Sequence, residues 1–349
     1  MPYSNQPAEA FWKACEADPG FRVDAIHRPK FALTRDIGVA TAGSCFAQHI
    51  TRRLRGSAAR LVEPEPGPVG LPAEVAEAYG YGLFSARYGN IYSARQLRQL
   101  FDDALAGRVK RDWVWRKGDR HVDALRPACE PDGLPSEDDV LDQRRDHLRK
   151  VDTLMREAEV LIFTLGLTEM WAERRSGRVF PLAPGVIAGD YDPKRHEFKN
   201  ATVAEVKQDL LAAFALLRKR SRGARLLLTV SPVPLAATAT GGHIFTATQH
   251  SKATLRAAAG ELVAEEPAID YFPSYELVTG APFDAGYIAP NAREVSKKGV
   301  DFVMSAFFAH HPAIAPEDDA AAPDGAEDPE LIAARAACEE RLLDGLAPP

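Results

Sequence analysis

Cysteine is scarce in this 349-residue chain: four residues, Cys15, Cys45, Cys129 and Cys338, with no C-x-x-C pair among them. That spacing indicates neither a zinc site nor a disulfide framework. Long apolar runs are missing as well. None approaches the roughly 18 residues a membrane helix needs. The start, MPYSNQPAEAFWKACEADPG, lacks the basic lead and continuous apolar core of a signal peptide. A cytoplasmic location without a transmembrane segment is the resulting expectation. Positive charge is not in excess. The net charge is −6, and the clusters TRRLR (51–55) and RKRSR (218–222) are short. They read as solvated helix faces, so no nucleic-acid partner is expected. Hydrophobic residues at 46% and charged residues at 26% suit a globular protein, and the length suits one large domain with additions or two domains.

Four segments have the β-branched, apolar character of buried strands: DIGVATA (36–42), EVLIFTLG (159–166), ARLLLTVSP (224–232) and AIDYFPSYE (268–276), the last ending in a turn. Helical patterns lie between them. SCFAQHITRRLR carries Phe46, Ile50 and Leu54 on one stripe. Ser93 with Gln96, and Thr202 with Glu205, are capping boxes opening helices. Further helices are expected over 136–158, 251–263 and 296–308, the last with Val300, Val303 and Phe307 on one stripe. A short hairpin is expected at 177–185, and loops with short strands at 113–133. Strands about 40–65 residues apart with helices between them imply crossovers and a mostly parallel sheet. Residues 1–35 are a lead-in, 36–311 one α/β domain with an insertion over about 56–158, and 312–329 an acidic linker that reads as disordered. Residues 330–349 form a helix or tail, which as an amphipathic helix would offer a protein partner a docking segment.

Ligands of an open parallel sheet bind beyond the carboxyl ends of its strands. Gly43, Ser44 and Cys45 follow the first strand, Gly166, Thr168, Glu169 and Trp171 the second, and Ser231, His243 and His250 the third. After the fourth come Ser274, Glu276, Asn291, Arg293 and Glu294. Ser44 at a helix N-terminus could be a nucleophile beside N–H groups suited to an oxyanion. Serine is equally a preferred N-cap, which needs no catalytic role. Cys45 could gain thiolate character from the same helix end, or simply pack. Tyr88 and Trp171 could stack on a sugar ring or belong to the core. Asn90, in YGNIY, reads as turn chemistry or as a polar contact to substrate.

The motif GSCFA (43–47) is the signature of the GSCFA family. RYGNIYSARQLRQLF (87–101), DALRP (123–127), IFTLGLTEMW (162–171), LTVSPVPLAAT (228–238), SKATLRAAAGEL (251–262) and YFPSYE (271–276) resemble its recurrent blocks in order. The chain is identified as a member over roughly residues 35–310. The family in turn resembles the SGNH/GDSL hydrolases, which implies a three-layer α/β/α flavodoxin-like sandwich with a large insertion after the first strand. It also implies serine-dependent esterase or O-acyl (acetyl) transferase chemistry on a carbohydrate or glycolipid-related substrate, with no metal or organic cofactor.

Under that resemblance AGS (42–44) matches G-D-S and makes Ser44 the nucleophile. GLTE (166–169) matches G-x-N-D and puts Thr168 at the oxyanion asparagine. NARE (291–294) stands at the late D-x-x-H, with Asn291 for the aspartate and Glu294 for the histidine. A carboxylate with a resting pKa of about 4 is a poor base for a serine hydroxyl unless burial raises it. His243, in TATGGHIFTATQHSK, is therefore the other expected base. The oxyanion would be held by N–H groups of Ser44 and Cys45 with Thr168 or Asn90. Gly43, Tyr88, Gly166, Glu169, Trp171 and Ser231 would meet the substrate. Two alternatives stay open: a catalytically inactive binding or scaffold protein on the same fold, and acyl transfer through a Cys45 thiol.

Overall fold

The computed structural model describes residues 1–17, 23–317 and 339–346. Its strands are β1 (Gly38–Gly43), β2 (Arg60–Leu61), β3 (Val114–Lys117), β4 (Arg120–Asp123), β5 (Val160–Leu165), β6 (Glu169–Glu173), β7 (Val179–Phe180), β8 (His196–Asn200), β9 (Arg225–Val230) and β10 (Ile269–Tyr271). Its α-helices are α1 (Lys13–Ala17), α2 (Cys45–Arg55), α3 (Ala73–Ala78), α4 (Ala94–Ala106), α5 (Glu137–Glu157), α6 (Val203–Arg218), α7 (Ile244–Glu265), α8 (Ser274–Thr279) and α9 (Lys297–His310). The main sheet runs β2-β1-β5-β9-β10 and is parallel throughout. Counting only its own strands, that is the order 2-1-3-4-5 of a flavodoxin-like sheet, with the switch point between β1 and β5.

The central strands are apolar on both faces, as a sheet covered twice requires. In β5, Leu161, Phe163 and Leu165 enter the core under α4–α7, while Val160 and Ile162 enter the core under α2, α8 and α9. Both faces of this short strand therefore anchor a helical layer, and the product is a three-layer α/β/α sandwich. The register sets Gly43 beside Thr164 and Leu165 beside Val230. Ser44, Gly166 and Ser231 consequently leave the sheet along one rim.

Several elements differ from the sequence expectations. β2, a two-residue edge strand, lies inside the stretch read as irregular, because so short a strand has no periodicity to display. The hairpin expected at 177–185 begins earlier. β7 pairs antiparallel with β6, and β6 also pairs with β8, giving a separate three-stranded sheet. The fourth main strand ends at Tyr271 and is followed by helix α8 rather than a turn. The helix expected from 251 starts at Ile244, so His250 lies within α7 as an exposed residue. The linker expected at 312–329 lies outside the described residues apart from 312–317, and of the expected terminal helix or tail 339–346 is described, as a 3₁₀ helix.

Among the described residues no helix is long and apolar enough to cross a membrane. The expectation of no disulfide is overturned. Cys45 is disulfide-bonded, while Cys15 and Cys129 are free. Spacing along the chain reports adjacent pairs only, and cysteines distant in sequence meet through the fold.

Candidate active site

Ser44 ends β1 and precedes α2 in the N-cap position, yet its side chain makes no capping hydrogen bond. The residue is buried, and its Oγ has no hydrogen-bond partner among the described residues. A buried hydroxyl left unpaired costs about 1–3 kcal/mol, so the N-cap reading does not account for this serine. Its own N–H donates to the Thr164 carbonyl at 3.1 Å. The expected oxyanion role of the Ser44 N–H is thereby corrected, because that donor is already engaged in extending the β1–β5 pairing. The first turn of α2, beginning at Cys45, remains the local source of N–H groups and positive dipole.

Close backbone approach shapes this corner. Gly43 has φ +145°, and a Cβ on it would lie 2.5 Å from the Thr164 carbonyl oxygen. A Cβ on Gly166 would lie 2.9 Å from the Ser44 Cβ and 3.1 Å from the Tyr92 oxygen. Both glycines therefore let β1, β5 and the loop 87–92 converge on Ser44. The Ile91 N–H donates to the Gly43 carbonyl at 2.8 Å, and the Tyr92 carbonyl accepts from Gly166 and Leu167.

Buried ion pairs hold that loop from behind. Asp103 on α4 accepts from Arg178 at 2.8 Å and from Arg144 of α5 at 3.2 Å. Arg144 also reaches Asp123 at 3.4 Å, Asp123 accepts from Arg126 at 3.1 Å, and Arg126 donates to the Arg87 carbonyl at 2.9 Å. The DALRP block thus supplies a brace, not a reacting group.

The Ser44 pocket is lined by Cys45, Tyr92, Gly166, Ser231, Lys252 and Glu340, among others. Lys252, on α7, is 2% exposed and donates from Nζ to the Gly166 carbonyl at 2.6 Å. Burial lowers its pKa to about 7, against the opposing charge of Glu340 and with help from Arg293. A lysine in this state supplies a neutral amine near neutral pH. Glu340 also approaches Arg293, with Nη2 to Oε2 at 3.7 Å, and its backbone is hydrogen-bonded to Tyr92. The neighbouring Glu339 is hydrogen-bonded to the Asn90 side chain, and burial raises its pKa to about 8.

The other expected site residues fall in distinct places. Asn90 is buried beside α2 and accepts from Gln48 Nε2 at 3.2 Å. Thr168 donates its hydroxyl to Asn200 at 2.6 Å and its N–H to Ser251 at 3.0 Å. The Glu169 carboxylate accepts from the Thr238 hydroxyl at 2.7 Å and the Ala239 N–H at 3.1 Å, fastening the loop after β9. Trp171 packs against Tyr191 and Phe198 on β6, away from the pocket lining. Tyr88 is buried with its hydroxyl on the Thr41 carbonyl.

His243 is exposed and caps α7, its Nδ1 accepting from the Phe245 N–H at 3.2 Å. Neither His243 nor Glu294 lines the pocket or hydrogen-bonds Ser44. Asn291 accepts from the Arg293 and Glu294 N–H groups, and Ala292 has φ +56°. This tight turn carries Arg293 toward Glu340. The disulfide leaves Cys45 without a thiolate to act as nucleophile.

Lys252 was not expected, and Arg293 only as one of the polar residues following the fourth strand. The signal for Lys252 is in the sequence: it shares the buried stripe of Thr248, Leu255, Ala259 and Leu262 on α7, where a lysine is out of place. The position of Arg293 after a strand was its signal, but its direction depends on the left-handed turn at Ala292.

The model of the GSCFA family matches residues 38–307, which spans the main sheet and every pocket residue named above except Glu340. No curated protein matches the chain.

Proposed function

The chain belongs to the GSCFA family, and from that premise we propose that it performs serine-dependent acyl chemistry of the SGNH/GDSL kind. The reaction is ester hydrolysis or O-acyl transfer on a carbohydrate or glycolipid-related substrate. The observation that carries this reading is the buried Ser44 hydroxyl, without a hydrogen-bond partner among the described residues, at a helix N-terminus on the switch point of the sheet. Ser44 Oγ attacks the acyl carbon, and its proton passes to the neutral Lys252 amine that lines the same pocket. The first turn of α2 at Cys45 and the Asn90 amide stabilise the oxyanion. Collapse of the tetrahedral intermediate expels the alcohol, which takes the proton from Lys252. Water or a sugar hydroxyl then releases the acyl group by the reverse steps. Gly43, Gly166 and Ser231 shape the acyl pocket, and Thr168 and Glu169 position its walls.

A fluorophosphonate probe tests this. Wild-type protein is labelled and Ser44→Ala is not. The labelling rate rises with pH through about 7, the value at which Lys252 loses its proton. Lys252→Gln lowers the rate by about 10²-fold or more, whereas His243→Ala and Glu294→Gln leave it unchanged. A rate that falls with His243→Ala instead would return the base to that histidine. The separation of Ser44 from His243 and Glu294 favours a second reading, a binding protein on the same fold. Equal labelling of wild type and Ser44→Ala would select it.

A further inference from the structure

With the turn 339–346 in place, the Ser44 pocket retains a cavity of about 10 Å³, room for about one water. An acyl substrate cannot share that space with the turn. The turn sits there on specific polar contacts: Glu340 on Arg293 and Tyr92, Glu339 on Asn90. The Arg293 guanidinium, 17% exposed, and the buried Lys252 amine, whose protonated form the Glu340 charge favours, face one carboxylate, and the Glu340 side chain is itself only 10% exposed. A largely buried guanidinium beside an amine is unfavourable unless an anion accompanies it, and the same anion lets the amine keep its proton. The pair is therefore built for an anion, and Glu340 supplies it from within the chain.

We infer that Arg293 and Lys252 form a carboxylate subsite beside Ser44, that Glu340 occupies it as an internal stand-in, and that the substrate carries a carboxylate in that position. This rests on the acyl-transfer reading for the word substrate, but the subsite itself does not depend on Ser44. A carboxylate on the acyl group and one on an acidic sugar would use the same guanidinium and amine. Succinate represents the first source and glucuronate the second. The turn competes as part of the same chain, so its effective concentration is high and free carboxylates bind wild type poorly.

Isothermal titration calorimetry on the full chain tests the subsite. Glu340→Ala binds succinate or glucuronate about tenfold more tightly than wild type, the equivalent of one charge-assisted contact. Arg293→Gln in the Glu340→Ala background removes that gain, and Arg293→Lys retains part of it. Neutral succinamide and glucose do not bind. Selectivity for the carboxylate over its neutral analogue in Glu340→Ala alone decides the point if the double variant is unstable. Which of the two carboxylates binds assigns the source. Failure of both to bind Glu340→Ala, or binding indifferent to Arg293, overturns the proposal. Repeating the titration with Ser44→Ala separates the two readings. Carboxylate binding without fluorophosphonate labelling removes the acyl chemistry and keeps the subsite, and labelling without binding does the reverse.

Discussion

The question posed by a serine between a strand and a helix has two chemical answers, and the hydroxyl itself separates them. A capping serine hands its oxygen to an N–H two or three residues on. Ser93 does this for Gln96 at 3.3 Å, while Ser44 does not. The residue before it is as telling. Gly43 adopts φ +145° with the Thr164 carbonyl 2.5 Å from where a Cβ would stand. Backbone cannot yield there without disturbing the β1–β5 pairing. Gly43→Ala is expected to cost about 2 kcal/mol or more, measured by urea denaturation, and unchanged stability would show that this corner relaxes freely. The Gly-Ser step was legible in the sequence because strand, glycine, serine and helix are consecutive. The amine expected to serve that serine was not singled out, since Lys252 lies more than two hundred positions away and meets it only through the α7 stripe. Glu294 drew attention by alignment with a histidine, but the turn at Ala292 sends Arg293 to the cleft instead.

At the scale of elements, helices were legible where their signals are local. The boxes Ser93–Gln96 and Thr202–Glu205 start α4 and α6 as expected. β6 and β8 were not, because strands exposed on one side and interrupted by polar residues lack the continuous apolar run of β5 and β9. What joins α4 to α5 could not be read at all from periodicity: a carboxylate, Asp103, with Arg144, Arg178 and Arg108 around it. Asp103 is fully buried, so its loss leaves several guanidinium groups without their counter-ion. Asp103→Asn should destabilise the protein by about 3–5 kcal/mol, read as a lowered midpoint in thermal denaturation. A change below about 1 kcal/mol would place these charges in the class of screened surface pairs. Because the same brace ends at the Arg87 carbonyl, the variant should also loosen the loop that carries Asn90.

Over the whole molecule, buried titratable groups set how stability follows pH. Burial lowers the pKa of His147 to about 4, with Arg126 adding to the effect, and lowers that of His311 to about 4, with His27 and His310 adding. Both are neutral in the fold, whereas the unfolded chain takes up these protons near 6.5. Their contribution is complete above about 6.5 and declines as pH falls toward 4. Burial opposes ionisation of Glu65, but His147 and Arg126 outweigh it and hold the carboxyl at about 2. Its contribution is therefore lost at still lower pH, from about 4.5 downward. Glu339 has the opposite sign. Raised to about 8, it favours the fold at low pH and ceases to do so as pH climbs from 4.5 through 8. The expected profile is a midpoint that drops between pH 6.5 and 4, opposed by a decline running from about 4.5 to 8 that Glu339→Gln abolishes, while the lowered Lys252 adds stability above about 7. An acid limb unaffected by His147→Gln would remove that histidine from the account.

The disulfide at Cys45 bears on every such measurement. Its sulfur belongs to the residue next to Ser44, at the first turn of α2. Protein kept in dithiothreitol and protein kept without it are thus two covalent species that differ beside Ser44, so an assay buffer selects which of them is being observed.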